Sequence, residues 1–172
     1  MVDQGDGGTE GAGSWFDRQE AVDVLRQAFE HTPLHRLLGL RFVGIGQGVS
    51  VVEMPVRSEA FNPVGNLHGG ALATLIDVAA GSAAATAGTF VPGENTLVTA
   101  DLHVRYLGRP KTDTVRAEAG VMRSGRQLVV VEVRVLDGLD NVIAFADFSS
   151  MVVPLREPLE GAAPADRRSP DL

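Results

Sequence analysis

Apolar and polar residues alternate along most of the chain beyond residue 40, and a long run of small apolar residues interrupts that alternation once. Leu40 to Ile45 and Val49 to Val56 read as two strands separated by Gly46-Gln47-Gly48. From Thr96 to Leu107 the period is two: Val98, Ala100, Leu102, Val104 and Tyr106 fall on one face, Thr99, Asp101, His103 and Arg105 on the other. Asp113 to Met122 repeats the pattern, with Val115, Ala117, Ala119 and Val121 against Arg116 and Glu118. Ser124-Gly125 signals a two-residue hairpin, and Leu128 to Leu136 and Val142 to Val153, joined through Asp137–Asn141, complete the set. Upstream, Ala21, Val22, Leu25, Ala28 and Phe29 recur at helical spacing across Glu20–His31. Pro33 ends that helix, and Leu34–Gly39 reads as one further short turn.

The interruption runs from Ala71 to Thr86. It is rich in Ala and Leu, contains no Pro, and predicts a long helix opened by Gly69-Gly70. A helix apolar all round is normally buried in a core or a membrane. Here the run relies on Ala rather than Leu or Ile and carries Asp77, so a core helix is expected. One long helix and about six strands, in the order ββ-α-ββββ with hairpin connections, imply an antiparallel sheet with a helix packed on it, an α+β domain. The domain is expected over residues 19–153. Residues 1–18, rich in Gly and Asp, and residues 154–172, with four prolines, are expected to be disordered tails.

Composition narrows the classes. A length of 172 residues suits one domain with a real core. The net charge of −7 argues against a general nucleic-acid binder. With no Cys there is no disulfide, thiolate metal site or cysteine nucleophile. The N-terminus lacks a basic and apolar leader, so a soluble cytoplasmic protein without membrane attachment is expected. His31 and His35 have the spacing of a helical metal pair, but Pro33 lies between them and no third ligand suggests itself; no metal is expected.

The chemistry gathers around the helix start. Asp77 is the one charged residue between Ala71 and Thr86, and its neighbours three and four positions away are Ala73, Thr74, Ala80 and Gly81. All four are small enough for another backbone or a ligand to approach the carboxylate. A bland reading, in which Asp77 is solvated or meets a structural partner across an interface, stays open. Gly69-Gly70 sits where the first helical amides lack intrahelical partners, and such N–H groups suit an oxyanion or polarised carbonyl. Glycines there also serve as plain turn residues.

Asn62, His68-Gly69-Gly70 and Asp77, at these spacings, resemble the signature of the hotdog-fold acyl-CoA thioesterases of the phenylacetic-acid-degradation (PaaI-like) type. The likeness covers roughly residues 33–153. It implies a helix wrapped by an antiparallel sheet and an active site at the interface of a homodimer, or of a homotetramer built from such dimers. Carried over by position, the Gly69 N–H would polarise the thioester carbonyl, Asn62 and His68 would position substrate or water, and Asp77 of the other chain would act as base or nucleophile. Thr99 falls where some relatives place a hydroxyl that orients the water, although a strand Thr is commonly structural. Gly70 would line the substrate site. Coenzyme A belongs to the substrate, and no separate cofactor is implied. Its phosphates call for cations, for which Arg123 and Arg126 around the hairpin and Arg105, Arg109 and Lys111 at a strand end are candidates; charged tips are also common solvated features.

Two other functions remain in view. Hotdog hydratases handle similar thioesters but pair an Asp with a His a few residues later, and here no His follows Asp77 until His103. A non-catalytic acyl-CoA sensor of the same fold is the alternative outside enzymes, since a motif is not an activity. Such sensors often carry a DNA-binding extension, and the acidic N-terminus offers no basic recognition helix.

Overall fold

The computed structural model describes residues 26, 27, 29, 31–87, 90, 91 and 93–155. The expected tail over 1–18, nearly all of that over 154–172, and most of the helix expected over Glu20–His31 lie outside them; of that helix, Arg26, Gln27, Phe29 and His31 are helical. The elements are helix α1 (Pro33–Leu38), strands β1 (Arg41–Gly46) and β2 (Val49–Pro55), a short 3-10 turn (Ser58–Ala60), helix α2 (Gly69–Ala85), and strands β3 (Asn95–Tyr106), β4 (Thr114–Ser124), β5 (Leu128–Asp137) and β6 (Val142–Pro154).

The six strands form one antiparallel sheet in the order β1-β2-β4-β5-β6-β3. Helix α2 carries the chain from β2 across the sheet to β3, which becomes the far edge. Alternation explains the contact: Val115, Ala117 and Ala119 of β4, and Val129, Val131, Val133 and Val135 of β5, are all buried. Leu72, Leu75, Ile76, Ala79, Ala80 and Ala83 of α2 join the same core. Ala at five core positions of the helix, Ala71, Ala79, Ala80, Ala83 and Ala84, lets the helix axis lie close to the strands.

Polar rivets fix the helix in position. The buried Ser50 hydroxyl donates to the Ala79 carbonyl at 2.6 Å. The Gly48 N–H donates to the Thr86 hydroxyl, which donates in turn to the Ala83 carbonyl, each at 2.7 Å. These tie the β1–β2 hairpin to the C-terminal half of α2.

Three sequence expectations change. Helix α2 is not sealed all round: Ala73, Thr74, Asp77, Val78, Gly81 and Ser82 form a half-buried stripe on one side. The β4–β5 connection is three residues, Gly125–Gln127, because β4 continues to Ser124 and the Gly125 N–H bonds the Leu128 carbonyl. Most consequentially, β3 does not alternate throughout. Its register against β6 jumps between Thr99 and Asp101, a β-bulge at Ala100. Leu97 and Thr99 therefore line the helix side before the bulge, while Leu102 and Val104 pack on the core after it.

Candidate active site

Helix α2 begins at a side-chain cap. His68, in extended conformation, accepts the Gly70 N–H on Nδ1 at 2.8 Å, which requires that nitrogen to be unprotonated. The Gly70 N–H is thus engaged by the turn itself. A side chain at Gly70 would meet the His68 ring at 3.0 Å, so the capped turn is tight enough to favour a residue without a Cβ there. Gly69 stands at the first helical position, where the N–H has no intrahelical acceptor. Its carbonyl accepts the Tyr106 hydroxyl at 3.0 Å, and the Tyr106 ring lies 3.3 Å from where a Gly69 Cβ would sit. Tyr106 is a site residue that the sequence pattern gave only as one more apolar position on β3.

Asn62 shapes the loop ahead of the turn. Its Oδ1 accepts the N–H groups of Val64 and Asn66 at 3.1 and 3.0 Å, an Asx-type closure. The His68 N–H bonds the Ala60 carbonyl at 2.7 Å. A cavity of about 240 Å³ runs beside this turn, lined by Leu34, Leu38, Phe61, His68, Gly70 and Thr74 among others.

Asp77 lies two turns further along. It is half-buried, and the Thr99 hydroxyl donates to its Oδ1 at 2.9 Å. The pair stands at a larger cavity of about 400 Å³ between α2 and the β3–β6 end of the sheet. Phe29, Phe42, Phe90 and Phe148 give it aromatic walls, with Val78, Gly81 and Leu97. The rings of Phe29 and Phe42 are 4.0 Å apart between centroids. His35 also lines this space, its Nδ1 3.0 Å from the Phe29 carbonyl. His31 is exposed and bonds the Gln27 carbonyl at 2.7 Å.

The candidate cations do not converge. Arg105 is exposed and paired with Asp147 at 3.3 Å, with His103 on the same carboxylate at 3.9 Å. Arg123 and Arg126 are exposed at the β4–β5 hairpin, whose Ser124 stands in the same register row as Val129, Ser150 and Thr99. Arg105 faces Phe145, five positions along β6 from Ser150, roughly 17 Å away at the usual strand rise. Arg109 and Lys111 are exposed beyond β3, nearer the Arg105 end.

A family model described as the thioesterase superfamily matches residues 64–144, the segment holding His68, Gly69, Asp77 and Thr99. A provisionally named esterase of Halobacterium salinarum is 31% identical over 132 residues, covering 75% of this chain and 86% of the relative. The chain belongs to the thioesterase superfamily. Human acyl-coenzyme A thioesterase 13 is 28% identical over 117 residues, covering 67% of this chain and 81% of that protein. Among solved structures, the PaaI protein of E. coli, from the phenylacetic acid degradation operon, superposes with a TM-score of 0.69 at 21% identity, covering 78% of this chain and 94% of that one. The fold of this superfamily member is therefore the hotdog fold expected from its His-Gly-Gly signature, with α2 as the wrapped helix.

Proposed function

We propose that this chain hydrolyses acyl-CoA thioesters to the free acid and CoA, at sites formed between two copies of itself. Membership of the thioesterase superfamily supports thioester hydrolysis in general; the acyl-CoA substrate, the residue roles and the assembly are the proposal. One observation carries the reading. The Thr99-bonded Asp77 and the Gly69 amide are the right groups for this reaction, yet they lie on one helix eight residues apart. At about 1.5 Å rise per residue, that is roughly 12 Å along the axis. A single carbonyl cannot sit within reach of both, whereas a second α2 running antiparallel beside the half-buried stripe would bring the Gly69 of one copy to the Asp77 of the other. Thr74, Gly81 and Ser82 keep that stripe low enough for close approach.

The chemistry follows from the parts. Asp77, oriented by Thr99, takes a proton from water as the oxygen attacks the thioester carbon; a direct attack by the carboxylate is the variant of the same site. Negative charge builds on the carbonyl oxygen, where the Gly69 N–H of the other copy donates. A preorganised donor of this kind is worth about 3–4 kcal/mol. The tetrahedral intermediate collapses by breaking the C–S bond, and CoA leaves as the thiol after taking up a proton. Asn62 and His68 hold the turn that presents the amide, and Arg123 and Arg126 are the accessible cations for CoA phosphate.

The test is release of free thiol over a panel of acyl-CoAs, with Asp77→Asn alongside. Hydrolysis by the wild type and a fall of about 10²–10⁴ in kcat for the variant is the expected result. Acyl-CoA binding without thiol release by the wild type would instead establish a sensor.

A further inference from the structure

Strand β3 is an open edge of the sheet: β6 pairs with one side of it, and no strand among the described residues pairs with the other. It runs twelve residues, Asn95–Tyr106, without a Pro or a Lys. Val98, Tyr106 and the following Leu107 are 49%, 53% and 60% exposed. Natural edges are normally kept short, charged or covered, and a long uncovered one is a template for another strand. The contacts of β3 with α2 set where a second copy would lie. Thr99 bonds Asp77 and Tyr106 bonds Gly69, so an Asp77 that meets the Gly69 of another copy brings its Thr99 opposite the Tyr106 of that copy. Counted along β6, which carries the ladder past the bulge, Thr99 faces Ser150 and Tyr106 faces Ala144; midway between them, Asp147 faces His103.

We propose that Asp101-Leu102-His103-Val104-Arg105 is a self-recognition sequence: two copies of this chain join β3 to β3, antiparallel, with His103 on the two-fold axis and Asp101 of each copy paired with Arg105 of the other. This rests on the shared-site reading above. Residues that played no part in finding the axis support it. Rotation about His103 sets Leu102 opposite Val104, both packed on the core, and Asp101 opposite Arg105, both on the outer face. Beyond the Thr99 and Tyr106 pair, the exposed Val98 meets the exposed Leu107, whose N–H bonds the Ile143 carbonyl. In its own copy Asp101 is exposed and forms no ion pair among the described residues. Arg105 uses one nitrogen on Asp147 at 3.3 Å and has further N–H groups to donate. Moving the axis by one residue breaks the match: centred on Leu102, Arg105 faces Val98, and centred on Val104, Asp101 faces Leu107. Exposed ion pairs add little affinity, so the backbone ladder and the apolar pairs hold the copies together while the charges choose register and partner.

Cysteine pairing reads the register in the full chain, which has no Cys of its own. Directly opposite residues of antiparallel strands come within disulfide range, and residues more than about 7 Å apart at Cα do not. Treated with copper–phenanthroline and oxygen, His103→Cys is expected to cross-link into a covalent dimer. Asp101→Cys and Arg105→Cys each stand about 13 Å along the strand from their own counterparts, so neither should cross-link alone and the two should do so when mixed. Charge reversal reads the recognition. Arg105→Asp or Asp101→Arg sets like charges opposite each other twice per dimer and is expected to weaken association about tenfold in sedimentation equilibrium, while the double reversal restores it. No cross-link from His103→Cys, self-linking of Asp101→Cys or Arg105→Cys, or a double reversal that associates no better than the single ones would overturn the assignment. None of these measurements uses substrate: cross-linking in the expected pattern beside a wild type that releases no thiol means that the hydrolase reading has failed and this one has not.

Discussion

At the scale of single residues, the site depends on small groups held by single hydrogen bonds. Tyr106 fixes the Gly69 carbonyl with its hydroxyl and packs its ring where a side chain would otherwise stand. Tyr106→Phe keeps the ring and removes one exposed neutral hydrogen bond, worth about 1 kcal/mol. The melting temperature should therefore fall by no more than about 2–4 °C. If the Gly69 amide is the oxyanion donor, kcat should fall about five- to tenfold with KM unchanged, because orientation of that donor matters only as charge develops. Steady-state kinetics on a hydrolysed acyl-CoA reads the split; equal losses in thermal stability and activity would mark Tyr106 as structural. Asp77 was conspicuous in sequence as a lone charge in an apolar helix. Tyr106 was not, since a strand Tyr carries no signal until the fold sets its hydroxyl against the Gly69 carbonyl.

At the scale of elements, the helix, six strands and their order followed from periodicity alone, because a period of two and a long Ala-rich run are strong patterns. The bulge at Ala100 was not legible: it adds no residue type that periodicity detects, yet it moves Thr99 from the face of Asp101 and His103 to the face of Asp77. The Gly125–Gln127 loop and the scattering of Arg105 from Arg123 and Arg126 were hidden for a similar reason, since sequence distance does not fix the end of a sheet at which a side chain lies. Deleting Ala100 should restore regular alternation. Thr99 and Asp101 already face the consecutive β6 residues Ser150 and Ser149, so both halves of β3 keep their faces and Thr99 still meets Asp77. A protein with wild-type circular dichroism and most of its thiol release is expected, whereas a loss of about a hundredfold or more would show that the bulge itself aims Thr99 at Asp77.

The β5–β6 connection offers an independent check on the scaffold. Asp137, fully buried, would be pushed up by desolvation, but the Asn141 side chain and the N–H groups of Lys111, Asn141 and Leu139 all donate to it and hold its carboxyl down to about 2. The ordinary value is 3.8, so the folded state favours the ionised form. The stabilisation is complete above about pH 4 and is lost as pH falls through the window from about 4 to about 2. Asp137→Asn removes this titration. The stability gap between wild type and variant, read from urea midpoints, should be constant from pH 7 to pH 5 and narrow steadily towards pH 2.

At the scale of the whole molecule, the decisive quantity is the spacing of Gly69 and Asp77 along one helix, roughly 12 Å. If each active site takes its amide from one copy and its carboxylate from the other, two inactive variants must rescue each other. Gly69→Pro is the companion to Asp77→Asn: it removes the N–H, Pro is tolerated at the first helical position, the extended His68 before it is compatible with a following Pro, and the exposed Tyr106 ring, 3.3 Å from the new Cβ, has room to give way. Each variant alone should be inactive. After mixing in equal amounts and exchange of subunits, half of the dimers carry one copy of each, and each mixed dimer has one intact site out of two. Activity should return to about one quarter of wild type, on the time scale of subunit exchange. A site contained in one chain allows no recovery at any mixing ratio, because neither variant holds both groups. The experiment thus separates a shared site from a self-contained one using thiol release alone, and its one-quarter ceiling distinguishes pairwise assembly from a trace of wild-type contamination, which would not depend on mixing.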